Sequence, residues 1–328
     1  MPIALPHAEE AVSQSDSDKS KERRRMTMSQ TLITSRDPKG LHAVGLFEAV
    51  YNKSKLDEAR AQRLNEHGGE LQDGIAELIA ELSVSNQYAS EEVRSNYTYP
   101  KEYKGPKPIS QQIDVLAKIF GFSLGFTSEF VEKVLPTLTL PDGAEGWFAI
   151  PSIDALASRF FPEVKDPKER LYCKAVNLVL AKIGESRTFY NYCEGQLTPD
   201  RFRLNARTAH ALDLLAEQQK GDILIVAAQL GMRHRGKSVH RAREVFVANE
   251  FGLGAFAFGI MLLTHPEREV QWEQLHVDCA GDEFAPGADD GFSESPYFRF
   301  DGGWVEFNMS FVVNPSVFFG SVSGFLSQ

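Results

Sequence analysis

Residues 231–238 read Gly-Met-Arg-His-Arg-Gly-Lys-Ser: a glycine, four residues, then glycine, lysine and serine. That spacing is the pattern of a phosphate-binding loop. Its glycines would let the backbone wrap a phosphate and aim amides inward, Lys237 would reach the outer phosphates, and Ser238 would ligate magnesium. On this reading the protein is a nucleoside-triphosphate hydrolase taking ATP or GTP with Mg²⁺. Asp278, which follows the apolar stretch Leu275-His-Val277, is then the acid that supports the metal. Against it, Met232 to Arg235 are bulky where such loops carry small residues, and only about ninety residues follow.

The same segment supports a broader reading. Arg233, Arg235, Lys237, Arg241 and Arg243 place five positive charges within eleven residues that contain no acid. A guanidinium fork suits phosphate or carboxylate. Arg233, Arg235, Gly236, Lys237, Ser238, Arg241 and Arg243 are therefore the expected contacts for a phosphate-bearing partner, nucleic acid foremost, with no cofactor required. A third reading is a non-enzymatic structural or interaction protein whose charges pair internally. The acid-rich stretch 273–301, with Asp278, Asp282, Glu283, Asp289, Asp290 and Glu294, is the expected partner. Asp278, Asp282 and Glu283 could alternatively gather round Mg²⁺ or Ca²⁺, since hard cations take oxygen ligands. Strand alternation puts His276 and Asp278 on one face and Cys279 on the other, which favours a structural cysteine over a thiol nucleophile.

These residues need elements to hold them. Asp222 to Leu230 reads as a buried strand leading into the loop, and Val239 to Asn249 as the helix that follows. Upstream, Leu71, Ile75, Leu78, Ile79 and Leu82 recur at helical spacing. Ser54 and Asp57 suggest a capping box before a helix at 55–67 that stops at Gly68-Gly69. Tyr97 to Pro108 is an extended linker whose three tyrosines either stack on bases or sugars or pack across a neighbouring helix. Ile109 to Phe120 and Thr127 to Leu135 are further helices. Beyond Leu140-Pro-Asp-Gly143, Gly146–Ile150 and Thr188–Cys193 are expected strands, as are Gly254–Leu263 and Leu275–Cys279. Helices are expected after Ser152, Asp166-Pro167 and Thr198-Pro199. Phe298 to Phe311, broken at Asp301-Gly-Gly303, is a β-hairpin. The expected fold is α+β: a polar tail at 1–38, a helical domain at 39–140, and a mixed domain at 141–328 ending in the hairpin.

Composition sets the frame. The 328 residues are 42% apolar and 24% charged, ordinary for a globular protein. With 45 acids against 35 bases the formal charge is -10, which argues against indiscriminate coating of nucleic acid. Three cysteines, an odd number, suit a reducing cytoplasm better than a disulfide framework. The longest apolar run, Phe251 to Leu263, has 13 residues, short of the roughly 20 that a bilayer-spanning helix needs, so a buried strand or short helix and no membrane partner are expected.

Glu145-Gly-Trp-Phe-Ala-Ile-Pro151, Asn249-Glu-Phe-Gly-Leu-Gly254 and Met261-Leu-Leu-Thr-His-Pro-Glu267 resemble uncharacterised conserved proteins of candidate-phylum bacteria with reduced genomes. The likeness runs over most of the chain after about residue 40. It implies a bacterial cytoplasmic protein and carries no biochemical role.

Overall fold

Runs of Ile, Val and Ala that are apolar on both faces must be covered on both, and residues 223–229 set the centre of this fold. The computed structural model describes residues 36, 38–83, 86–122, 125–164, 168–287 and 290–327. Most of the expected tail, the helix start at Asp166-Pro167 and Asp289 lie outside the described residues.

The chain divides into two units, Met1–Ile79 and Ala80–Gln328. The first holds α1 (Pro38–Lys53), α2 (Glu58–Glu66) and the greater part of α3 (Gly68–Ser83). Asp57 alone caps α2, its carboxylate accepting from the Arg60 amide at 2.8 Å. Ser54 instead donates back to the Val50 carbonyl, and Gly68 opens α3 where a stop was expected. Leu41, Val44, Phe47 and Val50 of α1 are exposed.

In the second unit, residues 86–108, extended apart from turns at 87–90 and 101–102, lead into α4 (Ile109–Phe120) and α5 (Gly125–Glu129). There follow β1 (Gly146–Pro151), α6 (Ile153–Phe160), α7 (Lys168–Ser186), β2 (Phe189–Asn191) and β3 (Phe202–Leu204). Next come α8 (Ala206–Gln219), β4 (Ile223–Gln229), α9 (Val239–Glu244), β5 (Glu250–Gly252) and α10 (Ala255–Thr264). The chain continues through β6 (His276–Asp278), β7 (Asp282–Phe284), β8 (Glu294–Asp301), β9 (Trp304–Phe311), β10 (Phe319–Ser321) and β11 (Ser323–Phe325). The fold is α+β.

One sheet is antiparallel throughout, in the order β1-β4-β11-β5. In the other, β8 pairs with β9 as the expected hairpin, turning at Gly302-Gly303, while its opposite edge takes β6 and β7. β2, β3 and β10 extend this sheet.

A large core joins most elements of the second unit, and a smaller cluster of Val239, Ala242, Phe246, Ala280 and Val312 seats α9. Phe148 and Ile150 of β1, Val226 of β4, Val179 of α7 and Phe298 of β8 are all fully buried in the large core, and so is Phe120 of α4. Ile113, Leu116 and Phe120 therefore tie 86–140 to the mixed unit, and the division falls at Ile79 instead of 140. The expected strand Gly254–Leu263 is α10, buried at every position. A segment covered on all sides shows no period, so periodicity cannot tell strand from helix there. A Cβ on Gly259 would lie 2.6 Å from Val179, so this glycine sets how closely α10 approaches α7. The helix expected at Thr198-Pro199 starts later. A turn and β3 intervene, and Asn205 caps α8 through the Arg207 amide at 2.9 Å.

Candidate functional site

The loop that carried the phosphate argument does follow a buried strand and lead into a helix. Gly231 at φ +119° and Gly236 at φ +76° occupy backbone regions that suit glycine. Its amides, however, are already bound. Those of Gly231 and Arg233 go to the Gln229 side-chain oxygen at 2.7 and 3.2 Å, and that of Met232 to the Tyr99 hydroxyl at 3.1 Å. His234 and Lys237 close turns within the loop, Gly236 donates to the Phe319 carbonyl and Ser238 to that of Glu91. No ring of inward amides is left to cradle a phosphate. Ser238 is fully buried, and its hydroxyl donates to Glu91 at 2.6 Å while capping α9, a helix of only six residues. Asp278 lines a separate pocket with Tyr297 and Arg299. The magnesium-nucleotide arrangement expected from Lys237, Ser238 and Asp278 is thus not assembled.

The arginines are similarly engaged. Arg233 and His234 both reach Glu250, at 3.3 and 2.7 Å, and Ser323 donates to the same carboxylate at 2.6 Å. Burial alone would raise Glu250, but these hydrogen bonds and the Arg233 charge hold it below the usual carboxylate range. Burial keeps His234 low, so a neutral ring donates from Nε2. Arg241 meets Glu92 at 3.3 Å and Glu244 at 2.9 Å, and Arg243 donates to the carbonyls of Ala280 and Asp282. Arg235 donates to the Tyr97 carbonyl at 3.3 Å. The partners are mostly Glu91, Glu92, Glu244 and Glu250. From the acid-rich stretch expected to receive this segment, the Ala280 and Asp282 carbonyls accept from Arg243, and the charges of Glu283 and Asp282 act on it.

Nor do the acids of that stretch cluster. Asp282 accepts from Tyr172 at 2.5 Å and from the Ala255 amide at 2.6 Å, at the start of α10. Glu283 pairs with Arg203 at 2.9 Å. Among the described residues no group of His, Cys, Asp or Glu is arranged to hold a metal. Cys173, Cys193 and Cys279 are buried, and burial pushes the Cys279 thiol far up. The tyrosine linker packs inward: Tyr99 lies under the fully buried Arg268, whose guanidinium is 4.3 Å from its ring, and Tyr97 lies against Phe318.

The geometry does provide a cavity of about 550 Å³, where the end of β1, the starts of α6 and α8, and β3 meet. Pro151, Leu204, Leu212, Leu224 and Phe256 form an apolar wall, with Asp154, Asp213, Glu283 and Arg203 as charged groups. Tyr172 closes it, backed by Asp282. Burial outweighs both hydrogen bonds to Asp282 and pushes its carboxyl up to about 7. The sequence reading missed this site, because its walls come from six separated segments that share no motif. The only local signal was the pair of helix starts at Ser152 and Asn205.

Compared with family models, curated proteins and solved structures, the chain matches none. No helix among the described residues is long and apolar enough to cross a membrane.

Proposed function

We propose that this protein binds a small amphipathic organic molecule in the cavity between α6 and α8, with the basic segment 231–243 serving as an internal clamp. The cavity carries the reading. It has the size and apolar lining of small-molecule sites, and a few charged groups converge on it. Three carboxylates against one arginine favour a ligand whose polar end donates hydrogen bonds or carries positive charge. An odd number of cysteines, all three buried, supports a reducing, cytoplasmic setting.

A thermal-shift screen with compounds that join an aromatic or alicyclic body to an amine or hydroxyl tests this. A ligand at 100 times its Kd should stabilise the fold by about 2.7 kcal/mol. Ala209→Trp and Ala216→Phe, which fill the cavity from α8, should abolish the shift. The proposal is overturned if no compound shifts the transition, or if shifts persist in both variants.

A second reading keeps the phosphate-bearing partner, nucleic acid or other. Arg235 and Lys237 support it, because neither has a carboxylate partner among the described residues. Retention of single-stranded RNA or DNA at low salt, lost steeply as salt rises and lost in Arg235→Ala/Lys237→Ala, would favour it.

A further inference from the structure

We propose that the pocket at Asp278 is a recognition site for a small primary ammonium group, separate from the cavity described above. The β6–β8 pairing sets Asp278 directly opposite Tyr297, and the parallel β6–β10 pairing sets it beside Ser321. The opposite face of this sheet, with Val277, Phe298 and Phe307, enters the core. The Asp278 face is instead polar, and it encloses a pocket of about 210 Å³.

Two observations point to a cationic ligand. Asp278 is 9% exposed and lines the pocket, and its carboxyl has no hydrogen-bond or ion-pair partner among the described residues. Its neighbour Ser321 likewise buries a hydroxyl with no partner. A buried carboxyl left unmet is costly, and the cost is relieved by a proton or a cation.

The local charge also favours a cation. Arg299 is the one base in the lining, and its guanidinium is held by Glu306 and by Asp301, the latter at 3.2 Å. One arginine thus faces Asp278, Glu306 and Asp301, so an anion would meet net repulsion.

The remaining lining suits an alkylammonium better than a divalent ion. An ammonium offers three N–H donors. Asp278 would take one, and the Ser310 and Ser316 hydroxyls and the Asn314 amide oxygen could accept the others. The rings of Tyr297 and Phe319, packed edge to face with centroids 5.2 Å apart, would give a short alkyl chain one apolar wall. A single carboxylate among neutral oxygens is too little charge to dehydrate Mg²⁺ or to fill the oxygen shell of Ca²⁺.

Isothermal titration of the full chain with ethylammonium, ethanolamine and putrescine tests the site. At least one should bind in the millimolar range or tighter, with tetramethylammonium, which has no N–H, at least tenfold weaker. Asp278→Asn should abolish binding, and Ser310→Leu, which narrows the pocket and leaves the carboxyl in place, should do the same. Ala209→Trp should leave binding intact, which separates this site from the α6–α8 cavity. Absence of binding by all three amines, binding unchanged in Asp278→Asn, or a response to K⁺ or Mg²⁺ in place of the amines would overturn the proposal.

Discussion

The Ser238 hydroxyl donates to Glu91 at 2.6 Å and accepts from the Arg241 amide at 3.0 Å, joining the extended segment 86–108 to the first turn of α9. This hydroxyl is a structural tie. Ser238→Ala should therefore lower stability by about 1–3 kcal/mol, from the lost cap and the carboxylate left with one donor fewer. Urea unfolding measures it. Mg-ATP should protect neither protein against heat, and a variant of normal stability that had lost nucleotide protection would return Ser238 to a phosphate loop.

Glu250 is the acceptor on which the start of the basic segment closes. Glu250→Gln should cost about 3–5 kcal/mol near neutral pH, because Arg233 and His234 lose a buried anion. The sign of the pH effect follows from its lowered carboxyl. The native state favours the ionised form, so the stabilisation is present above the unfolded carboxylate range and lost as pH falls through the native value. Denaturation curves of the two proteins should converge in acid, and a gap that widened there would contradict this arrangement.

Asp278 behaves in the opposite sense. Burial pushes its carboxyl up to about 7. Between the unfolded value of about 3.9 and that point the native state binds the extra proton, so stability falls as pH rises across the window. Asp278→Asn should match the parent near pH 4 and exceed it, by an amount on the order of a few kcal/mol, at pH 8. The groups around it are His276 and Cys279 on its own strand, Tyr297 and Arg299 on β8, and Glu306 on β9, and both proteins retain them. Their contributions therefore cancel in the difference. Equal melting temperatures at both pH values would show that the carboxyl is better solvated than its setting implies.

Gly236 has no room for a side chain. A Cβ there would run into the Val93 carbonyl, in a backbone region that costs a non-glycine residue about 1–2 kcal/mol before any clash. Gly236→Ala should thus exceed that figure, with loosened hydrogen exchange along 91–95. Gly105→Ala, at φ +97° with open space around it, should show the backbone cost alone.

Much of the fold was legible where sequence patterns are local. The strand at 223–229, the hairpin at 294–311 and the α4 stripe of Ile113, Leu116 and Phe120 all stand where periodicity and turn residues put them. α10 was not, because burial on every side erases period. The site was legible in the wrong sense. Composition marks Arg233, Arg241 and Arg243 as a concentration of charge, but only the fold brings Glu250, Glu92 and the carbonyls at 280 and 282 to meet them. Tyr172, which closes the larger cavity against Asp282, is 110 positions away from its partner and matches no motif.

The place of β11 between β4 and β5 bears on how the protein is made. Strands at 223–229 and 250–252 each pair with residues 323–325, so that part of the sheet cannot close until 323–325 have emerged from the ribosome. Until then β4 presents an unpaired apolar edge, the kind of surface that nascent chains lose to aggregation or to chaperones. A translation pause between residues 252 and 323 should therefore lower the yield of folded protein.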